Sequence, residues 1–391
     1  MTPFWKLSAA GFAATAITYG PARMGFGLFL PQFKSLFAIS TQTAGLVSGL
    51  GFVGFLLGLL VSQAITNRKG PRLSILCGLI AATIGSGVVA MASDLPVLAG
   101  GILLAMSSAG FAWAPFNNAI HRQVEDRSRP AALSLVSTGT SLGVAAAGAA
   151  VLLTGITDIS WRLCWASFAI AAALSLVGNW TALREVAGTP GPEAAQPRDL
   201  LFHRQAIPLL GIGLCYGATS SIYIAFAADR MAEAGGLAGL PASASGGLVF
   251  VCYGVFGLTG LVAGSAKASI GLPWLLRLLM SASALSSALL ALMPTSWAGA
   301  VLSAAFQGVY VMTMSAVLAF WSERLFPDLP SQSFTVVLLA VGVGSVFGPV
   351  AAGFASGAFG VAPMFLGTAA LAAVVGAAIR TRHIRERPED E

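Results

Sequence analysis

Apolar runs of about 20 residues follow one another along this chain from Ser8 to Arg380, with short polar segments between them. Each run is long enough to cross a hydrocarbon layer of ~30 Å as a helix. Only 9% of the 391 residues are charged, whereas a soluble protein carries about 25%. The sequence therefore predicts an all-α membrane protein.

Twelve runs fit this pattern, which predicts twelve transmembrane helices. We expect the spans at residues 8–32, 43–65, 73–92, 96–120, 131–154, 162–183, 205–228, 242–266, 272–292, 297–321, 333–355 and 361–380. The first run lacks the charged start and the small-residue cleavage site of a signal peptide, so we expect it to remain as a helix.

The basic residues fall mainly on one side of the predicted membrane. With twelve spans both termini share that side, here called the basic face, and it carries sixteen basic residues: Lys6, Arg68, Lys69, Arg72, Arg122, Arg127, Arg129, Arg184, Arg198, Arg204, Lys267, Arg324, Arg380, Arg382, Arg385 and Arg387. The opposite face has only Lys34, Arg162 and Arg230. The positive-inside rule makes the basic face cytoplasmic and favours an inner-membrane location. Because the charge is divided among many loops, we expect no nucleic-acid partner.

Two halves of six spans each flank a segment rich in Pro, Ala and charge. We expect a first bundle at residues 1–183, a cytoplasmic linker at 184–204 and a second bundle at 205–391 that ends in a short basic tail. Tyr19 and Tyr216 open similar segments 197 residues apart, and the turn glycines Gly70 and Gly271 are 201 apart. These near-equal offsets predict two pseudo-symmetric six-helix bundles from a duplicated unit.

The loop after span 2 reads NRKGPR, from Asn67 to Arg72. It resembles the D-R-x-G-x-R signature of the major facilitator superfamily, with Arg68, Gly70 and Arg72 matching and Asn67 in place of the Asp. In span 11, GSVFGPVAAG from Gly344 resembles the Gly-Pro motif that exporters of this superfamily carry in span 5. The resemblance implies a transporter that works by alternating access, with Asn67, Arg68, Gly70 and Arg72 in a cytoplasmic gating loop. It also implies that spans 1, 4, 7 and 10 line a central substrate cavity.

Polar and aromatic side chains recur at helical spacing on those four spans. The candidate substrate-binding residues are Tyr19, Arg23 and Phe26 on span 1, Trp113 and Asn117 on span 4, Tyr216, Ser220 and Tyr223 on span 7, and Gln307 and Tyr310 on span 10. Single hydroxyls commonly hydrogen-bond between membrane helices, but four such stripes together favour a binding site.

Arg23 is the strongest candidate among them. It lies near the middle of span 1, too deep to reach water easily, and a charge there is costly unless it faces a wet cavity or a partner. No Asp or Glu lies well inside any predicted span. We expect Arg23 to bind a small organic anion of carboxylate or phosphate type, because a guanidinium can hold such a group with two hydrogen bonds.

Other functions remain open at this level. Efflux of a neutral or lipophilic compound is the alternative, with Arg23 in a structural role. No mid-depth nucleophile, base or metal cluster indicates an enzyme, so we expect no catalytic activity, cofactor or metal. A sensor or scaffold with a transporter fold is a further option, but no loop exceeds about 21 residues. We expect a monomer whose partners are the bilayer and a small-molecule substrate; direction, facilitated movement, anion exchange and proton co-movement stay open.

Overall fold

A computed structural model describes residues 2–157, 159–186, 204–327, 330–381 and 384, with the side chains of 204 and 330–332 excepted. Eleven helices in the described residues are long and apolar enough to cross a membrane: Thr41–Lys69, Pro71–Ala90, Leu95–Gln123, Arg129–Thr157, Trp161–Ala182, Ile207–Glu233, Ala242–Ile270, Leu272–Leu292, Trp297–Leu325, Pro330–Phe359 and Val361–Ala378. They are spans 2 to 12. Span 1 precedes them, so the predicted all-helical, twelve-span fold is confirmed.

Span 1 differs from the expected single helix. It consists of three helices, Pro3–Tyr19, Pro21–Leu28 and Leu30–Phe37, which are separated by Gly20 and Phe29. Proline has no N–H for the helical ladder and tends to occupy the first turn of a new helix, and Pro21 and Pro31 each do so here. Arg23 is therefore the third residue of a short helix between two breaks.

Two further spans are also interrupted. Span 4 divides into Leu95–Gly110 and Trp113–Gln123, because the ring of Pro115 conflicts with the helical position of the Phe111 carbonyl. Span 8 passes from Ala242–Gly257 through a 3₁₀ turn, Leu258–Val262, to the helix Ala263–Ile270.

The same helix pairs pack in both halves of the chain. Span 1 packs on span 5 as span 7 does on span 11, span 2 packs on span 4 as span 8 does on span 10, and span 3 packs on span 6 as span 9 does on span 12. The turn glycines Gly70 and Gly271 both have positive φ, 80° and 77°, and each joins the second helix of a half to the third. The repeated packing confirms two pseudo-symmetric bundles.

The two bundles contact each other chiefly through spans 2 and 11 and through spans 5 and 8. Glycines bring the backbones close there: a Cβ added to Gly148 would lie 2.6 Å from the carbonyl oxygen of Gly247, and one added to Gly45 would lie 3.0 Å from the Cα of Gly353. Small residues allow such approach in membranes. Most of the predicted linker, residues 187–203, and most of the basic tail beyond Thr381 lie outside the described residues.

Candidate functional site

Arg23 lies deep in the bundle and between its two halves. It is about 21 Å from the end of span 1 at Phe37, if each of the intervening residues adds 1.5 Å. The residue is partly exposed, so its side chain reaches space that other protein atoms do not fill. Its charge interacts electrostatically with Tyr19 on the same span and with Tyr216 and Tyr253 on spans 7 and 8.

Three aromatic rings surround the guanidinium of Arg23. Its Cζ atom lies 4.7 Å from the ring centroid of Phe55, 5.3 Å from that of Tyr19 and 5.6 Å from that of Phe52. These distances suit cation–π attraction, which stabilises a positive charge without neutralising it. Phe52 and Phe55 belong to span 2 and were not among the predicted site residues, although their spacing of three residues places both on one helix face.

Arg23 has no acidic partner among the described residues. Its Nε atom is buried and has no hydrogen-bond acceptor there, and the ion pairs of that part of the chain all involve other basic residues. A guanidinium has five N–H donors and no acceptor. The guanidinium therefore keeps its positive charge without an acidic partner in the part of the chain that the structure describes.

The predicted tyrosines of the second bundle are buried and bonded within it. Tyr216 donates a hydrogen bond to the carbonyl of Val311 at 3.1 Å, and its ring meets that of Tyr310 edge to face at 5.5 Å. The hydroxyl of Tyr310 lies 2.9 Å from the Thr219 hydroxyl, and that of Tyr223 lies 3.1 Å from the Ser303 hydroxyl. These three hydroxyls therefore bond to groups of their own bundle.

The remaining predicted residues on spans 4, 7 and 10 differ in exposure and in their contacts. Ser220 donates to the Gly217 carbonyl of its own helix at 3.3 Å, and Gln307 is buried with its Nε2 atom unpaired among the described residues. Asn117 is partly exposed, and Trp113 contacts Phe334 of span 11 at 6.3 Å between ring centroids.

Phe26 packs away from Arg23. It is 2% exposed, and its ring stacks on Phe33 at 5.9 Å. Phe33 in turn contacts Trp161 and Trp165 of span 6, so Phe26 belongs to an aromatic cluster inside the first bundle.

The predicted gating loop joins spans 2 and 3 at the basic face. Gly70 ends one helix with a positive φ, Asn67 is partly exposed and Arg68 is exposed. Arg72 lies over the Trp180 ring at 5.2 Å, and its Nε atom is buried without a hydrogen-bond partner in the described residues.

An ion pair between the bundles lies at the opposite face. Nζ of Lys34, on span 1, is 2.9 Å from Oδ2 of Asp229 and 2.7 Å from Oε1 of Glu233, both on span 7. The Asp229 side chain is only 1% exposed although its residue lies near a helix end. Sequence reasoning missed this group because it judged depth from position along the helix alone.

No cluster of three or more His, Cys, Asp or Glu residues suited to a metal ion occurs in the described residues. The four cysteines are free thiols within the spans.

Comparison with known proteins identifies the class of this fold. The profile of the Major Facilitator Superfamily matches residues 12–231, more than half of the chain. The chain belongs to this superfamily and is a multi-pass membrane transporter of small molecules, not an enzyme.

Individual relatives agree with this assignment. Monocarboxylate transporter 11 of Homo sapiens is 27% identical over 387 residues, which cover 90% of this chain and 76% of that protein. A variant of the nucleoside transporter NupG superposes with a TM-score of 0.78 at 13% identity, covering 98% of this chain and 100% of the other. A bacterial homologue of the human lysosomal transporter Spinster, in an inward-facing and unoccupied conformation, superposes with a TM-score of 0.76 at 17% identity, covering 96% of each chain.

Proposed function

We propose that this protein transports a small organic anion of carboxylate or phosphate type, bound by Arg23 between the two bundles. The observation that carries the proposal is a mid-span guanidinium that is partly exposed and has neither an ion-pair nor a hydrogen-bond partner for Nε in the described residues. A charge in that position is stabilised when an anion supplies the missing acceptors.

The planar guanidinium suits the oxygens of a carboxylate or a phosphate. One observation supports a carboxylate in particular. The human relative is named as a monocarboxylate transporter and aligns with most of this chain. Outward movement of an anion from a cell that is negative inside gains about 2.3 kcal/mol per 100 mV, so export needs no coupling ion.

The test is anion uptake by the purified protein in vesicles, with butanoate as the probe. Arg23→Gln is expected to lower uptake about tenfold or more, since hydrogen bonds to charged groups are worth about 1.5–3 kcal/mol, and Arg23→Lys is expected to restore only part of it. Arg277→Gln is the matched control, because Arg277 also lies inside a span but donates from Nε and Nη2 to the Ile379 carbonyl, at 3.0 and 2.7 Å. Equal uptake by Arg23→Gln and wild type would contradict the proposal.

The aromatic rings around Arg23 favour a second candidate, efflux of a neutral or lipophilic compound. In that case Phe52, Phe55 and Tyr19 hold the arginine as a structural charge. A neutral dye would then be exported equally by wild type and Arg23→Gln, and butanoate would not be transported by either.

We also propose the setting in which transport takes place. The two units, residues 1–183 and 205–391, move relative to each other in an inner membrane, joined by the linker 184–204 with both termini in the cytoplasm. The sixteen residues of the basic face support this orientation. Each protein acts as a monomer.

A further inference from the structure

Two buried polar side chains of the second bundle each have an atom that lacks a hydrogen-bond partner in the described part of the chain: Gln307, a predicted substrate-binding residue, and Tyr253, which the sequence did not single out. The hydroxyl of Tyr253 on span 8 and Nε2 of Gln307 on span 10 are buried, and neither has a hydrogen-bond partner among the described residues. Tyr253 is 0% exposed and Gln307 1%. Unpaired buried donors are costly and uncommon, so both groups require an explanation.

Tyr253 differs in this respect from the other tyrosines of its bundle. Tyr216, Tyr223 and Tyr310 each have a hydrogen-bond partner in the same bundle. The Tyr253 ring packs edge to face on Tyr223 at 6.2 Å and against Phe250 at 5.8 Å, which fixes the ring while its hydroxyl stays unpaired. Packing alone therefore accounts for the ring of Tyr253 and not for its hydroxyl.

Spans 8 and 10 pack closely at Tyr253 and Gln307, and Tyr253 is within electrostatic range of Arg23. Gly308, the neighbour of Gln307, lies directly against the backbone carbonyl of Tyr253, and the charge of Arg23 acts on the Tyr253 hydroxyl. At 1.5 Å per residue from the helix starts at Ala242 and Trp297, Tyr253 and Gln307 are about 17 and about 15 Å from the opposite face, compared with about 21 Å for Arg23. The three groups thus lie at similar depth and come from both bundles.

The chemistry of this second pair is neutral. A phenol hydroxyl and an amide N–H can donate to an oxygen acceptor, but they supply no positive charge for a second anionic group. Arg230 and Arg277, in the same bundle, already donate to the carbonyls of Ala291 and Ile379. A second buried carboxylate would remain uncompensated at this position.

We propose that Tyr253 and Gln307 form a specificity subsite that binds a neutral oxygen acceptor, such as a hydroxyl or keto group, of the anion whose charged end binds Arg23. This inference rests on the proposed function and names its substrate class: an organic monoanion with a neutral oxygen-bearing group. A ligand held in this way contacts both bundles at once.

The test compares butanoate with 2-, 3- and 4-hydroxybutanoate and with butanedioate in vesicles that contain the full-length protein. At least one hydroxybutanoate is expected to show kcat/KM about tenfold above that of butanoate in the wild type, and butanedioate to fall below butanoate. In Tyr253→Phe and in Gln307→Leu, kcat/KM for hydroxybutanoate is expected to lie within about twofold of kcat/KM for butanoate.

Thr368→Val is the matched control, because it removes a buried hydroxyl that is bonded within its own helix to the Met364 carbonyl at 3.0 Å. Its ratio of kcat/KM for hydroxybutanoate to kcat/KM for butanoate is expected to equal that of the wild type. A wild type without preference for any hydroxybutanoate, or a Tyr253→Phe variant that keeps the preference, overturns the subsite. Absence of butanoate transport, or butanoate transport insensitive to Arg23→Gln, contradicts the proposed function instead.

Discussion

Arg23 and Lys34 lie eleven residues apart on span 1, but their surroundings differ. Lys34 has two carboxylates of span 7 within 2.9 Å, whereas Arg23 has three aromatic rings and no acidic partner among the described residues. The charge that is paired joins the two bundles directly. The unpaired charge, Arg23, is the one proposed to bind a ligand. One span therefore carries a structural charge and a candidate ligand-binding charge.

The largest effect on transport is expected when a carboxylate is placed beside Arg23, because both charges of span 1 would then be paired. Phe55→Glu puts an acidic group where a ring now lies 4.7 Å from the guanidinium, and the resulting ion pair should compete with the anion. Butanoate uptake in vesicles is expected to fall about tenfold or more. The control Phe55→Gln has the same size without the charge, and equal uptake by the two variants would contradict the comparison.

Removing the charge of Lys34 should mainly affect stability. Lys34→Gln leaves the buried Asp229 carboxylate without its cation, and we expect a loss of about 2 kcal/mol in the free energy of unfolding, less than for a fully buried pair because Lys34 is partly exposed. Denaturant unfolding in detergent measures it. The double variant with Asp229→Asn should regain most of the loss; a double variant no more stable than Lys34→Gln alone would show that the pair is not responsible.

Removing one ring from around Arg23 should change transport less than placing a carboxylate beside it. Phe55→Leu keeps the site apolar but loses the closest cation–π contact, so we expect KM for butanoate to rise about threefold while the protein stays folded. Phe168→Leu is the control, because Phe168 packs on Trp165 in the first bundle and is not one of the three rings that lie over Arg23 in the described residues. A similar rise in both variants would indicate a general packing effect.

The smallest loss of stability is expected for a substitution at Glu233. Its side chain is 38% exposed, and solvent screening limits an ion pair of this kind to about 0.2–1 kcal/mol. Glu233→Gln should lower the free energy of unfolding by that amount, and the difference should shrink in high salt. A loss as large as that of Lys34→Gln would show that Glu233, rather than Asp229, is the main partner.

The sequence predicted the parts of the fold that depend on local hydrophobicity. Twelve apolar runs predicted twelve spans, and the similar offsets of Tyr19 from Tyr216 and of Gly70 from Gly271 predicted two related bundles. The breaks in span 1 were missed although Pro21 and Pro31 stood in the sequence, because an apolar run alone does not distinguish one helix from three. In span 1, each proline inside the apolar run therefore indicates a helix break.

The sequence alone did not predict which side chains of different spans contact each other. Nothing in the sequence pairs Phe52 and Phe55 with Arg23, since they lie on another helix. The sequence predicted no Asp or Glu well inside a span, but the Asp229 side chain, one residue beyond the predicted span 7, is almost completely covered in the structure. The depth of a charge depends on which spans pack around it, and a single sequence does not reveal that packing.

The glycines between the bundles restrict how this protein can change. Where the backbone of span 5 lies against that of span 8, near Gly148 and Gly247, a single methyl group would have to displace the facing helix. Substitutions at these positions should therefore appear in pairs during evolution, with a larger residue on one helix offset by altered packing on the other. Such correlated changes would show that the close contact between spans 5 and 8 is retained across the family.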